Sequence, residues 1–130
     1  MSDTPPCPYR AGQVWRYHTR PGEPDSTLTV TRVETFEAVG TVVHVSVTGL
    51  TLRNPHVTGG GVIGDIAHVP FAETAIDASV VELLRQDVAV APALGDGYDT
   101  WRSAYDAGEA GIFSIPVRDA VEYMEQALNS

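Results

Sequence analysis

Lysine is absent from this chain, cysteine occurs once, and no run of about 18 apolar residues exists to span a bilayer. A lone cysteine, Cys7, excludes an internal disulfide and any Cys-x-x-Cys thiolate pair, which points to a reducing, cytoplasmic setting. Met1-Ser2-Asp3-Thr4 supplies neither a basic start nor an apolar stretch, so no secretory signal is read and no membrane partner is expected. Without lysine, eight arginines face 17 acids for a net charge of −9. Nucleic-acid affinity rests on clustered positive charge that releases counterions, so this balance argues against a nucleic-acid partner.

The charges that are present divide unevenly along the chain. Up to Arg53 five arginines offset five acids, whereas from Asn54 onward three arginines face twelve. The expectation is a charge-balanced front and an acidic rear that suits a basic protein partner. At 130 residues with 43% hydrophobic content, one core suffices, and no internal repeat divides the chain. Residues 1–8 read as an extended, proline-rich tail and 9–130 as a single domain.

Alternation of apolar and polar residues predicts strands at 13–19, 26–36 and 41–52, with a turn at 20–25 rich in proline and glycine. A change of apolar parity at Val33 marks a bulge in the second strand, and Gly49 a bend in the third. Asn54-Pro55 and the glycines at 59–61 predict a loop, and 62–69 a fourth strand. Ile76, Val80, Leu83 and Leu84 recur at helical spacing, which predicts a helix over 72–86. Further helices are expected from Tyr98 to Gly108 and from Pro116 to Leu128, with a short strand at 112–115 between them. The fold class is therefore α+β: a twisted antiparallel sheet or partly open SH3-like barrel over residues 9 to about 70, packed with two to three C-terminal helices.

No catalytic motif is found. Gly59-Gly60-Gly61-Val62-Ile63-Gly64 matches G-x-G-x-x-G literally, but Asn54-Pro55 precedes it and the next helix starts past Pro70, so no nucleotide cofactor is implied. His44, His56 and His68 are spaced by twelve and lack the close pairing of metal ligands, so no metal is expected. G-x-S-x-G and H-E-x-x-H are missing, and the pairs Glu73 with Asp77 and Glu122 with Glu125 read as solvated helix faces. The candidate ligand-binding residues are Arg16, His18 and Arg20 on the first strand, Arg32 across the hairpin and His44 on the next strand. Their guanidinium forks suit a carboxylate or phosphate. Tyr98, Trp101 and Tyr105 form a stripe along one helix face, either packed in the core or offered to a partner.

The segments Tyr9-Arg10-Ala11-Gly12-Gln13-Val14-Trp15-Arg16-Tyr17-His18-Thr19-Arg20-Pro21-Gly22-Glu23, Gly64-Asp65-Ile66-Ala67-His68-Val69-Pro70-Phe71 and Gly111-Ile112-Phe113-Ser114 resemble small bacterial proteins that carry no named activity. That resemblance implies a stand-alone domain. Gly12-Gln13-Val14-Trp15 is similar to the Gly-Asp-x-Trp opening of MazF-type toxin endoribonucleases, which implies an SH3-like hairpin. Gln13 stands where that family has its acid, and the Arg-Pro signature that follows in the family is missing. The leading expectation is thus an interaction module, accessory or immunity-type, whose acidic half meets a basic partner. The alternatives are an anionic-ligand binder or enzyme using the Arg/His face, and an RNA-cleaving domain. The sequence leaves the oligomeric state open.

Overall fold

The computed structural model describes residues 9–37, 39–54, 61–88 and 94–128. The tail at 1–8 with Cys7, the residue His56 and the pair Gly59-Gly60 lie outside the described residues. Elements follow in the order β1 (Val14–Tyr17), β2 (Thr27–Phe36), β3 (Gly40–Thr48), β4 (Leu52–Asn54), β5 (Gly61–Ile63), β6 (Ile66–Ala72), α1 (Glu73–Asp77), β7 (Val80–Arg85), α2 (Leu94–Asp106) and α3 (Val117–Leu128). Five strands pair antiparallel in the order β6-β3-β2-β1-β7, and β4 and β5 form a separate hairpin. β6 and β7 lie at opposite ends of that order and do not pair, so the sheet stays open. An α+β fold built on an open antiparallel sheet is thus what the chain forms.

Alternation in β2 and β3 sorts the residues onto two faces. Leu28, Val30, Val43, Val45 and Val47 turn to one side, where Val69, Phe71, Ile76, Val117 and Val121 complete the buried core. The change of parity in β2 is a bulge, seen as a register shift between Val30 and Arg32 in the pairing with β3. Beyond it Arg32 lies opposite His44, and Glu34 opposite Val42. Gly49 ends β3 with φ of 75°, and a Cβ there would stand 2.9 Å from the Cα of Ser26. The Ser26 hydroxyl donates to the Thr48 carbonyl at 2.6 Å and so receives the Tyr17 hydroxyl at 2.7 Å, tying β1 to the β2–β3 pair.

Several expectations need correction. The helix over 72–86 is only the five residues of α1, followed by β7, which pairs with β1. Val80 and Leu83 lie opposite Tyr17 and Trp15, and register shifts in this pairing turn a two-residue strand period into an apparent three-residue one. The 54–61 loop is shorter, because Asn54 pairs with Gly61 in the β4–β5 hairpin. The fourth strand is interrupted at Gly64-Asp65, and the short strand at 112–115 reduces to one bridge between Phe71 and Phe113. Helix α2 begins at Leu94, four residues before Tyr98. The second face of the sheet is not left to solvent: Val42 and His44 are fully buried and Ser46 is 9% exposed.

Candidate functional site

Two polar clusters stand out, and each joins residues distant in sequence. The first lies on the second face of the sheet, beneath α2. Glu34 on β2, His44 on β3 and His68 on β6 form a hydrogen-bonded chain, with Glu34 Oε1 2.9 Å from His44 Nε2 and His44 Nδ1 2.8 Å from His68 Nε2. A carboxylate accepts only, so His44 Nε2 carries the proton, His44 Nδ1 is left as an acceptor, and His68 Nε2 must donate to it. One acid therefore fixes the tautomers of two neutral rings.

Aromatic residues of α2 close over this chain. Tyr98 and Trp101 meet the His44 ring edge-on at centroid distances of 5.0 and 4.9 Å, and Trp101 stacks in turn on Tyr105. The Trp101 indole N–H donates to the Gly111 carbonyl at 2.8 Å, which satisfies its polar edge inside the packing. The stripe of Tyr98, Trp101 and Tyr105 is thus spent on the sheet and on Phe36. Glu34 Oε2 receives the Tyr98 hydroxyl at 3.1 Å and Arg102 at 3.3 Å, while Arg32 lies over the Tyr98 ring at 4.2 Å. Burial lowers the pKa of His44 against the opposing pull of Glu34, and burial with His44 beside it lowers that of His68 to about 4. Both rings are neutral at pH 7.

The second cluster joins the β1–β2 turn to α3. Arg20, with its side chain 12% exposed, grips Glu23 through Nε and Nη2, each at 2.8 Å. Its Nη1 reaches Glu122 at 2.7 Å and Glu125 at 3.0 Å. Glu23 also accepts the backbone N–H of Thr51 at 2.6 Å. The Glu23 bond foremost raises the Arg20 pKa against desolvation. For Glu23, burial works upward, but Arg20 and Thr51 outweigh it and the pKa is lowered. The groove beside this cluster, about 710 Å³, is lined by Arg20, Thr51, Arg118, Asp119, Glu122 and Glu125.

The Arg/His residues singled out from sequence are divided among different surroundings. Arg16 is half exposed and meets Glu82 at 3.4 Å. His18 and Arg16 border a shallow groove with Arg118, Arg20 belongs to the α3 cluster, Arg32 covers Tyr98, and His44 is buried. Arg16 and His44 do share one face, but Thr27 and Thr29 of β2, paired with Thr48 and Ser46 of β3, lie between them. Sequence reading missed Glu34, His68 and Arg118 as partners. The parity of Arg32 and Glu34 after the bulge was the available signal for Glu34, whereas His68 and Arg118 require the three-dimensional pairing.

Ion pairs between Arg16 and Glu82, Arg20 and Glu122, and Arg102 and Glu34 all cross the division of charge in the sequence. Front and rear are therefore not two separate surfaces. Most acids after Asn54 remain exposed, including Asp99, Asp106, Glu109 and Asp119. Among the described residues no group of three or more His, Cys, Asp or Glu could hold a metal, and no helix is long and apolar enough to cross a membrane. Compared with protein-family models, curated proteins and solved structures, the chain matches none.

Proposed function

We propose that this protein is a binding module that docks a basic partner in the groove between the β1–β2 turn and α3. The observation that carries this reading is the arrangement around Arg20: one guanidinium holds the carboxylates of Glu23, Glu122 and Glu125. Three acids on one cation leave net negative charge, and Asp119 lines the same groove. Carboxylates already fixed by a mostly buried guanidinium lose little freedom when an arginine or lysine side chain arrives, which lowers the cost of association. An immunity-type role, in which such a module masks a basic surface of another protein, is the specific form of this reading.

Fluorescence polarisation with labelled oligoarginine and oligoglutamate peptides tests it. Oligoarginine is expected to bind at low salt, to weaken as salt rises, and to weaken again in the double variant Glu122→Gln, Glu125→Gln. No preference for the basic peptide, or equal binding by the double variant, would overturn the reading.

A further inference from the structure

On the other side of Arg118 lies a second groove, about 400 Å³, with a composition opposite to that of the first. Arg16 and His18 enter it from β1 and the residue just after it, Arg118 from the first turn of α3, and Pro24 and Val81 form apolar walls. Among the described residues, Arg118 has no carboxylate within the 4.0 Å of an ion pair, and the His18 ring makes no hydrogen bond. The backbone of His18 is nonetheless fixed, because its N–H donates to the Ser79 carbonyl at 2.8 Å. Ser79 in turn receives the Val117 N–H on its hydroxyl at 2.9 Å, so the start of α3 and the end of β1 are tied to one residue. The two arginines are thereby placed on a common frame.

In a chain carrying nine excess negative charges, two guanidiniums and an imidazole around one hollow are an exception that calls for a reason. Arg16 also carries a carboxylate already: Glu82 of β7 meets one of its terminal nitrogens at 3.4 Å, and both side chains are more than half exposed. Such a pair is weak and readily exchanged for a better acceptor. We propose that this groove is a binding site for a phosphate group, with Arg16 and Arg118 supplying charge-assisted bonds to its oxygens and His18 a third donor, and with Glu82 displaced on binding. Two planar forks match the several oxygens of a phosphate better than the two of a lone carboxylate. This site shares Arg118 with the wall of the acidic groove, but Arg16 and His18 lie outside that groove, and the proposal stands whether or not a basic partner docks there.

The test is a titration of the full chain with inorganic pyrophosphate, and with acetate at matched ionic strength, following the His18 imidazole resonances and the thermal midpoint. Pyrophosphate is expected to give a saturable shift and acetate none. Arg118→Ala, at an exposed position, is expected to weaken pyrophosphate binding roughly tenfold or more while the fold is kept. Glu82→Gln removes the competing carboxylate and is expected to tighten it by up to about fivefold. A response to pyrophosphate that does not saturate, an equal response to acetate, or unchanged affinity in both variants would overturn the proposal. Oligoarginine binding unaffected by pyrophosphate separates this outcome from that of the acidic groove.

Discussion

His44 Nδ1 and His68 Nε2 lie 2.8 Å apart with their rings stacked at 5.0 Å and 21°, so two imidazoles from adjacent strands share one hydrogen bond inside the fold. That bond tolerates a single arrangement of protons while both rings are neutral, because Glu34 claims the other nitrogen of His44. Adding a proton to either ring places a positive charge beside the other ring, with the guanidiniums of Arg32 and Arg102 gathered at Glu34. The packing of α2 onto the sheet therefore depends on the pair staying neutral.

The first prediction concerns pH. In the unfolded chain a histidine binds its proton near pH 6.5, whereas folded His68 binds it only at about 4, so between these values the unfolded state holds more protons. Stability from this source is complete above pH 6.5, falls as pH drops through the window, and levels off below pH 4. A shift of this size corresponds to at most ~3 kcal/mol, and solvent screening at this partly buried ring reduces it. Urea denaturation at pH 7, 5.5 and 4 should show the loss, and His68→Gln should flatten it, although Glu23, whose pKa is lowered, adds its own loss at acid pH. A His68→Gln profile parallel to that of the parent would contradict the assignment.

Glu34 is the anchor of the chain and accepts from His44, Tyr98 and Arg102 at once. Glu34→Ala strips the buried His44 and the partly exposed Tyr98 and Arg102 of their shared acceptor and is expected to cost about 2–3 kcal/mol, in line with loss of hydrogen bonds to a charged group. Glu34→Gln keeps one acceptor oxygen and should recover part of it. Chemical denaturation of both variants measures this, and a neutral Glu34→Ala would show that the chain contributes nothing to the fold.

At the other cluster, Arg20→Ala leaves the carboxylate of Glu23, only 1% exposed, without its counter-charge. The expected loss is about 3–5 kcal/mol. Arg20→Lys should restore little, because one ammonium cannot reproduce four directed bonds to three carboxylates. Replacing Arg20 and Glu23 together by Met and Leu should cost less than Arg20→Ala alone, since no uncompensated charge is left behind. Thermal unfolding at pH 7 ranks the three variants, and a double replacement as damaging as the single one would refute the argument.

Strands β1 to β3 were legible because their alternation is regular and their turns carry proline and glycine, as at Pro21-Gly22. β7 was not, since irregular pairing with β1 brings Val80 and Leu83 inward three residues apart, the spacing a helix face also shows. Half of the site was legible in the same way. Parity placed Arg32 and His44 on one face, and the spacing of Tyr98, Trp101 and Tyr105 gave a single aromatic face on α2. What parity cannot give is which helix covers which face, or that the irregular pairing of β3 with β6 brings His68 against His44. Nor can a count of charges along the chain reveal that Arg20 meets an acid 102 residues away.

Trp101 joins the fate of α2 to that of the histidine pair. It is 9% exposed, contacts both imidazole rings at centroid distances of 4.9 and 5.9 Å, and is a major part of what keeps water from them. Burial is the foremost cause of the lowered pKa of His68, so opening this cover should move that pKa upward from about 4 toward 6.5. Trp101→Ala is expected to cost about 3–5 kcal/mol and to raise the His68 pKa at the same time. Trp101→Phe, which keeps an apolar ring but loses the bond to Gly111, should destabilise less and leave His68 close to its original value. NMR titration of the imidazole resonances in both variants distinguishes the two contributions. A His68 pKa that stays near 4 in a folded Trp101→Ala variant would mean that the sheet alone, without α2, holds the pair neutral.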